Sequence, residues 1–175
     1  MDIPASTETV ERNASAKQDV ACKFSVPLVF HWDTRFASLW LESSMAIKPW
    51  RATCIQIDSK VASNATTKAE TWTIIDANVA VAIAKIEEAC TGPNPPKLVV
   101  LPEFAFQGPP RATPVSEWIE RACAAIPGPI TESLADVARK FNIYIAGNHF
   151  EVDPQWPDRY FNSSFLLDPK GEVIL

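Results

Sequence analysis

Histidine and glycine are scarce in this chain, which has two His and five Gly in 175 residues. His31 and His149 stand far apart, and the four cysteines (Cys22, Cys54, Cys90, Cys123) form no C-x-x-C pair, so a zinc site lacks its ligands. No Gly-rich phosphate loop is present, and no cofactor is expected. Basic residues are the minority, 16 Lys and Arg against 21 Asp and Glu. A net charge of −5 without a basic aromatic stripe argues against a nucleic-acid partner. No apolar run approaches the roughly 18–20 residues that a membrane span needs, so no membrane partner is expected. The N-terminus carries an early acid and no apolar h-region. It does not read as a secretory signal, and reduced thiols in a cytoplasmic protein are expected.

What the chain does hold is apolar residues, 47% of the total, and 15 prolines. That apolar share excludes a disordered chain, and the length suffices for roughly one domain with a core. Residues 1–49 read as a polar tail and then a packing arm. In the arm Phe24, Val26, Leu28, Phe30 and Trp32 alternate, Pro27 implies an edge strand, and a short helix is expected over 36–45. From residue 50 the pattern becomes regular. Residues 51–58 read as a strand and 60–68 as a polar loop. Over 72–90, Ile75, Val79, Ile83, Ile86 and Cys90 recur at helical spacing. The run Leu98-Val99-Val100-Leu101 suits a buried parallel strand, which makes a right-handed strand–helix–strand unit. Helices are expected over 115–125 and over 130–141, the second burying Ile130, Leu134, Val137 and Phe141. Residues 143–147 read as a strand that continues after a bend as 149–152. A hairpin follows, with a strand over 160–167, a turn at Asp168-Pro169-Lys170-Gly171, and a return strand over 172–175.

Glu103 is the leading candidate for chemistry. It follows a buried strand directly, at the carboxyl end where α/β sheets place ligands. Leu101, Phe104 and Phe106 flank it, so desolvation is expected to move it toward a general base's working range. An exposed acid or a helix cap would look the same in sequence. His149 either contacts substrate or is a hydrogen-bonded structural histidine, the latter being favoured. Asn162 is expected to bond the backbone of its own hairpin, and Arg111 and Arg121 to be solvated charges.

The segment Lys97-Leu98-Val99-Val100-Leu101-Pro102-Glu103-Phe104 resembles the glutamate motif of the nitrilase (carbon–nitrogen hydrolase) superfamily. Its surroundings agree in order. Cys54-Ile55-Gln56-Ile57 is similar to the family's first strand, Asn78 falls in the next helix, and Ile126-Pro127-Gly128 opens the following segment. Tyr160-Phe161-Asn162-Ser163-Ser164 with Asp168-Pro169-Lys170-Gly171 resembles the family hairpin. The resemblance covers 50–175 and implies an α/β, αββα-sandwich fold, incomplete in this chain and carrying an N-terminal extension. It further implies nitrile or amide hydrolysis by a Glu–Lys–Cys triad. The Cys thiolate attacks carbon, the Glu is the general base, and the Lys stabilises the oxyanion. Glu103 maps onto the base. Phe104 and Phe106 would line the acyl pocket or serve as core aromatics.

No Lys or Cys in the chain fits the other two roles. Lys97, for example, precedes the strand and lies about 13 Å from the Glu103 end. The expectation is therefore the N-terminal part of a carbon–nitrogen hydrolase, present as a fragment and inactive alone. It would act on a small-molecule nitrile or amide and form a homo-oligomer in its full-length form. The alternative is an inactive remnant or protein-interaction module of the same fold.

Overall fold

The computed structural model describes residues 49–175; the tail, the alternating arm and the short helix read over 1–48 lie outside them. The described residues form one sheet and one layer of helices. Strands β1 (Ala52–Cys54), β2 (Leu98–Val100), β3 (Tyr144–Glu151) and β4 (Phe161–Leu167) lie in the order β1-β2-β3-β4. The first three are parallel and β4 is antiparallel to β3. Helices α1 (Lys68–Cys90), α2 (Val115–Ala122) and α3 (Pro129–Phe141) lie between the strands in sequence. None of the helices is long and apolar enough to cross a membrane.

Helix α1 starts four residues before the expected position, and a local signal explains the difference. Thr67 and Glu70 form a capping box: the Thr67 hydroxyl accepts from the Glu70 amide, and the Glu70 carboxylate accepts from the Thr67 amide, both at 3.2 Å. Hydrogen bonds from the Thr66 and Thr67 backbone and hydroxyls, the Thr66 amide foremost, hold the Glu70 carboxyl below its ordinary value. The buried stripe of α1 is Ile75, Val79, Ala82, Ile86 and Cys90, with Ile83 half-buried at its edge. In α3 the buried stripe is Ile130, Leu134 and Val137, with Phe141 half-buried. These side chains join Val99, Ile145, Phe165 and Leu167 in one core on one face of the sheet.

Three other elements differ from expectation. β1 stops at Cys54 rather than residue 58, because the chain beyond turns toward α1, where Asn78 bonds the Lys60 backbone. Helix α2 ends at Ala122 rather than 125. Ala124 instead pairs with the end of β3, donating to the Phe150 carbonyl and accepting from the Val152 amide. β3 runs unbroken over eight residues with no bend at position 148, held by continuous pairing with β4. Gly147 therefore marks neither a strand end nor a bulge. A Cβ there would stand 2.5 Å from Cζ of Phe165, so the glycine is needed for close approach.

The hairpin turn follows expectation. Gly171 has φ +79° and donates to the Asp168 carbonyl, and the Asp168 carboxylate accepts from the Lys170 and Glu172 amides. The return segment pairs with β4 through Val173 and through mutual bonds of Leu166 with Ile174 and Leu175.

Candidate active site

β2 ends in a sharp turn that carries Glu103 at its tip. The Leu101 amide still donates to the Ala146 carbonyl of β3, and three residues later Phe104 adopts φ +60°. A left-handed backbone at an aromatic residue is unfavourable and persists only where the surroundings hold it. Here they do. The Gly108 amide closes back on the Phe104 carbonyl at 3.1 Å. Ser59 donates to the Ala105 carbonyl at 2.7 Å, and the Ala62 amide to the Gln107 carbonyl at 2.9 Å. From α1, buried Asn78 donates to the Phe106 carbonyl at 2.7 Å while bonding both backbone groups of Lys60. Gln107 is also buried. Its amide donates to the Ala122 carbonyl and accepts from the Phe150 amide, each at 2.8 Å. Two buried amides thus tie the turn to α1, α2 and β3.

Glu103 itself is exposed, contrary to the expected desolvation by Leu101, Phe104 and Phe106. Its side chain lines a groove of about 1000 Å³ over the sheet face opposite the helices, which Leu101 also borders and Phe104 and Phe106 do not. The polar end of the groove has Glu103, Asn148, Asn162 and Ser164; the rest includes Leu98, Val100, Ala146 and Leu166. Asn162 lies in β4 on the groove face, where the strand's alternation also places Ser164 and Leu166, while Phe165 and Leu167 turn into the core. Its Nδ2 donates to Glu103 Oε1 at 2.8 Å, across 59 residues of sequence. The expectation that Asn162 bonds its own hairpin is replaced by this contact.

The remaining candidates fall elsewhere. Phe106 is fully buried in the core and Phe104 stacks on Phe150, with ring centroids 5.7 Å apart; neither lines the groove. His149 is buried within β3 against Phe165, with Nδ1 beside the Phe150 carbonyl and Nε2 without a partner. Desolvation lowers its pKa, opposed by that carbonyl and by the charge of Glu151. Arg121 is not a solvated charge: its side chain is 14% exposed and donates to the Ala65 carbonyl. Cys90 and Cys123 are buried, and burial pushes the Cys123 thiol up to about 12. Cys123 lies just past α2 rather than within a helix. Cys54 is exposed, in register with Val100, Ala146 and Leu166 across the sheet. Lys97 lines the groove at the amino end of β2, opposite Glu103. Among the described residues Asn162 is the hydrogen-bond partner of Glu103, and no Lys or Cys bonds it. No group of His, Cys, Asp and Glu among them is arranged to hold a metal ion.

Sequence reasoning missed Gln107, which reads as a loop residue, and the partner of Asn162. The Thr67-x-x-Glu70 capping box at the start of α1 is a local pattern that a sequence can show; these two contacts are not.

An acid at the carboxyl end of a central parallel strand, on a turn anchored from α1, is the arrangement that the motif order implies. Residues 51–175 match the family described as carbon-nitrogen hydrolase. The chain belongs to that family. It is similar to formamidases of Bacillus cereus and Bacillus anthracis, at 28% identity over 102 residues in each case. Those matches cover 58% of this chain and 29% of each formamidase, so the chain spans under a third of the length of these curated relatives. A crystal structure of an N-terminal amidase superposes with a TM-score of 0.54 at 18% identity, covering 70% of this chain and 26% of that one. That likeness supports the nitrilase fold, of which the described residues form one sheet and its helix layer.

Proposed function

We propose that this chain supplies the general-base segment of an enzyme that hydrolyses amide carbon–nitrogen bonds, with Glu103 as the base. The observation that carries the reading is the placement of Glu103. It stands at the carboxyl end of β2 on an anchored turn, in a groove and outside the core. Formamidase relatives favour a small amide over a nitrile as substrate. In such a reaction the carboxylate would take the thiol proton as the nucleophile attacks. It would return a proton to the leaving ammonia, then activate the water that opens the acyl-enzyme.

The nucleophile and the oxyanion donor are not supplied by the described residues around Glu103. Cys90 and Cys123 are buried, Cys54 is exposed on edge strand β1 but does not line the groove, and Lys97 sits at the groove's other end. The 175-residue chain assayed alone should therefore release no ammonia from small amides or nitriles. Turnover that disappears with Glu103→Gln would overturn that part of the proposal. The largely apolar sheet face beside Glu103 fits an αββα sandwich, in which a second sheet would pack against it. The base role is tested by grafting residues 51–175 into the matching region of the Bacillus cereus formamidase. Ammonia release is then compared with and without Glu103→Gln.

A further inference from the structure

Two connections run side by side between the Glu103 turn and the start of β4. One is the hydrogen bond from Asn162 Nδ2 to Glu103 Oε1. The other is aromatic: Phe104, next in sequence to Glu103, stacks on Phe150 at 5.7 Å, and Phe150 meets Tyr160 edge-on at 5.2 Å. Tyr160 lies two residues before Asn162, and Phe150 is the register partner of Asn162 in β3. The stack therefore sets the spacing of the two backbones, and the hydrogen bond acts on the carboxylate itself.

We propose that Asn162 is a positioning residue for Glu103, a role that rests on the reading of Glu103 as general base. An exposed Glu side chain has three rotatable bonds and would otherwise sample several rotamers. The Asn162 amide selects the one that faces the groove. Because the side-chain NH2 of asparagine has no basic lone pair, it engages Oε1 without competing for a proton, and Oε2 stays free to accept one. An aspartate at 162 would have the same size but no donor, and it would repel the carboxylate. The aromatic pair at 104 and 150 gives Phe104 a bracing role and accounts for its side chain being turned away from the groove.

The test is the rotamer of Glu103, read by three-bond couplings in the 175-residue chain labelled with [13C]glutamate. The wild-type chain is expected to show the couplings of one dominant rotamer. Asn162→Asp and Asn162→Leu should each lower the preference for that rotamer about fivefold, the population ratio that one hydrogen bond of ordinary net strength sustains. Unchanged amide shifts at Ile145 and Phe165 verify that the fold is kept, and the isosteric Asp variant serves if the Leu variant fails to fold. Couplings in the Asp variant that match wild type overturn the proposal. Loss of the rotamer together with full turnover of a Glu103→Gln formamidase graft would instead refute the base assignment and leave the positioning intact.

Discussion

Replacing Asn78 with leucine removes the link between α1 and the Glu103 turn. The side chain is 3% exposed and makes three bonds. It accepts from the Lys60 amide at 2.9 Å, donates to the Lys60 carbonyl at 2.8 Å, and donates to the Phe106 carbonyl at 2.7 Å. The Phe106 carbonyl is buried, so losing its donor costs most of its desolvation, about 1–3 kcal/mol. The Lys60 groups are part-buried, and water replaces some of what they lose. Leucine is close in size and gains some apolar burial. The net loss should be about 3 kcal/mol, equivalent to roughly 10 °C in Tm for a domain of this size. Urea unfolding followed by circular dichroism measures it, with Ala77→Leu on the exposed face of the same helix as the control. The Gly108 amide, which closes the turn onto Phe104, should also exchange its hydrogen faster in Asn78→Leu. A loss below about 1 kcal/mol at unchanged m value, with Gly108 exchange unaltered, would refute the reasoning that Asn78 anchors the turn.

Gly147→Ala drives a Cβ to 2.5 Å from the buried Phe165 ring and should destabilise by about 1–3 kcal/mol in the same urea assay, less so in a Phe165→Leu background. His149 has a folded-state pKa below its ordinary 6.5, so the unfolded chain binds the proton first as pH falls. Stability from this group is complete above pH 6.5 and is lost as the pH drops toward the folded pKa; in His149→Leu, the slope between about pH 6.5 and 5 should flatten. Iodoacetamide at pH 8 should label the exposed Cys54 before Cys123, whose thiol is pushed up to about 12; peptide mass spectrometry reads the order.

The parts of the fold that were legible in the sequence are those written in local periodicity. The stripe Ile75, Val79, Ile86 and Cys90 announced α1, and the run over 98–101 announced the strand before Glu103. Pro, Gly and Asp marked the hairpin turn. Tertiary pairing decided the rest. Ala124 leaves the helix because β3 offers it backbone partners, and β3 passes straight through position 148 because β4 pairs along its length. At the site, the motif located Glu103, but sequence neighbours misled about its burial. Leu101 and Phe106 are buried while the left-handed turn at Phe104 sends the carboxylate outward. Gln107 and Asn162 act on groups 43 and 59 residues away, a distance over which a single sequence carries no pairing signal.

Ammonia release by a formamidase carrying residues 51–175 of this chain tests the central claim most directly. With the graft folded, as its melting curve verifies, small amides should be turned over, and Glu103→Gln should lower kcat by about 10²–10⁴-fold, the range for losing a general base. A folded graft whose turnover is unchanged by Glu103→Gln would contradict the claim that this residue is the base.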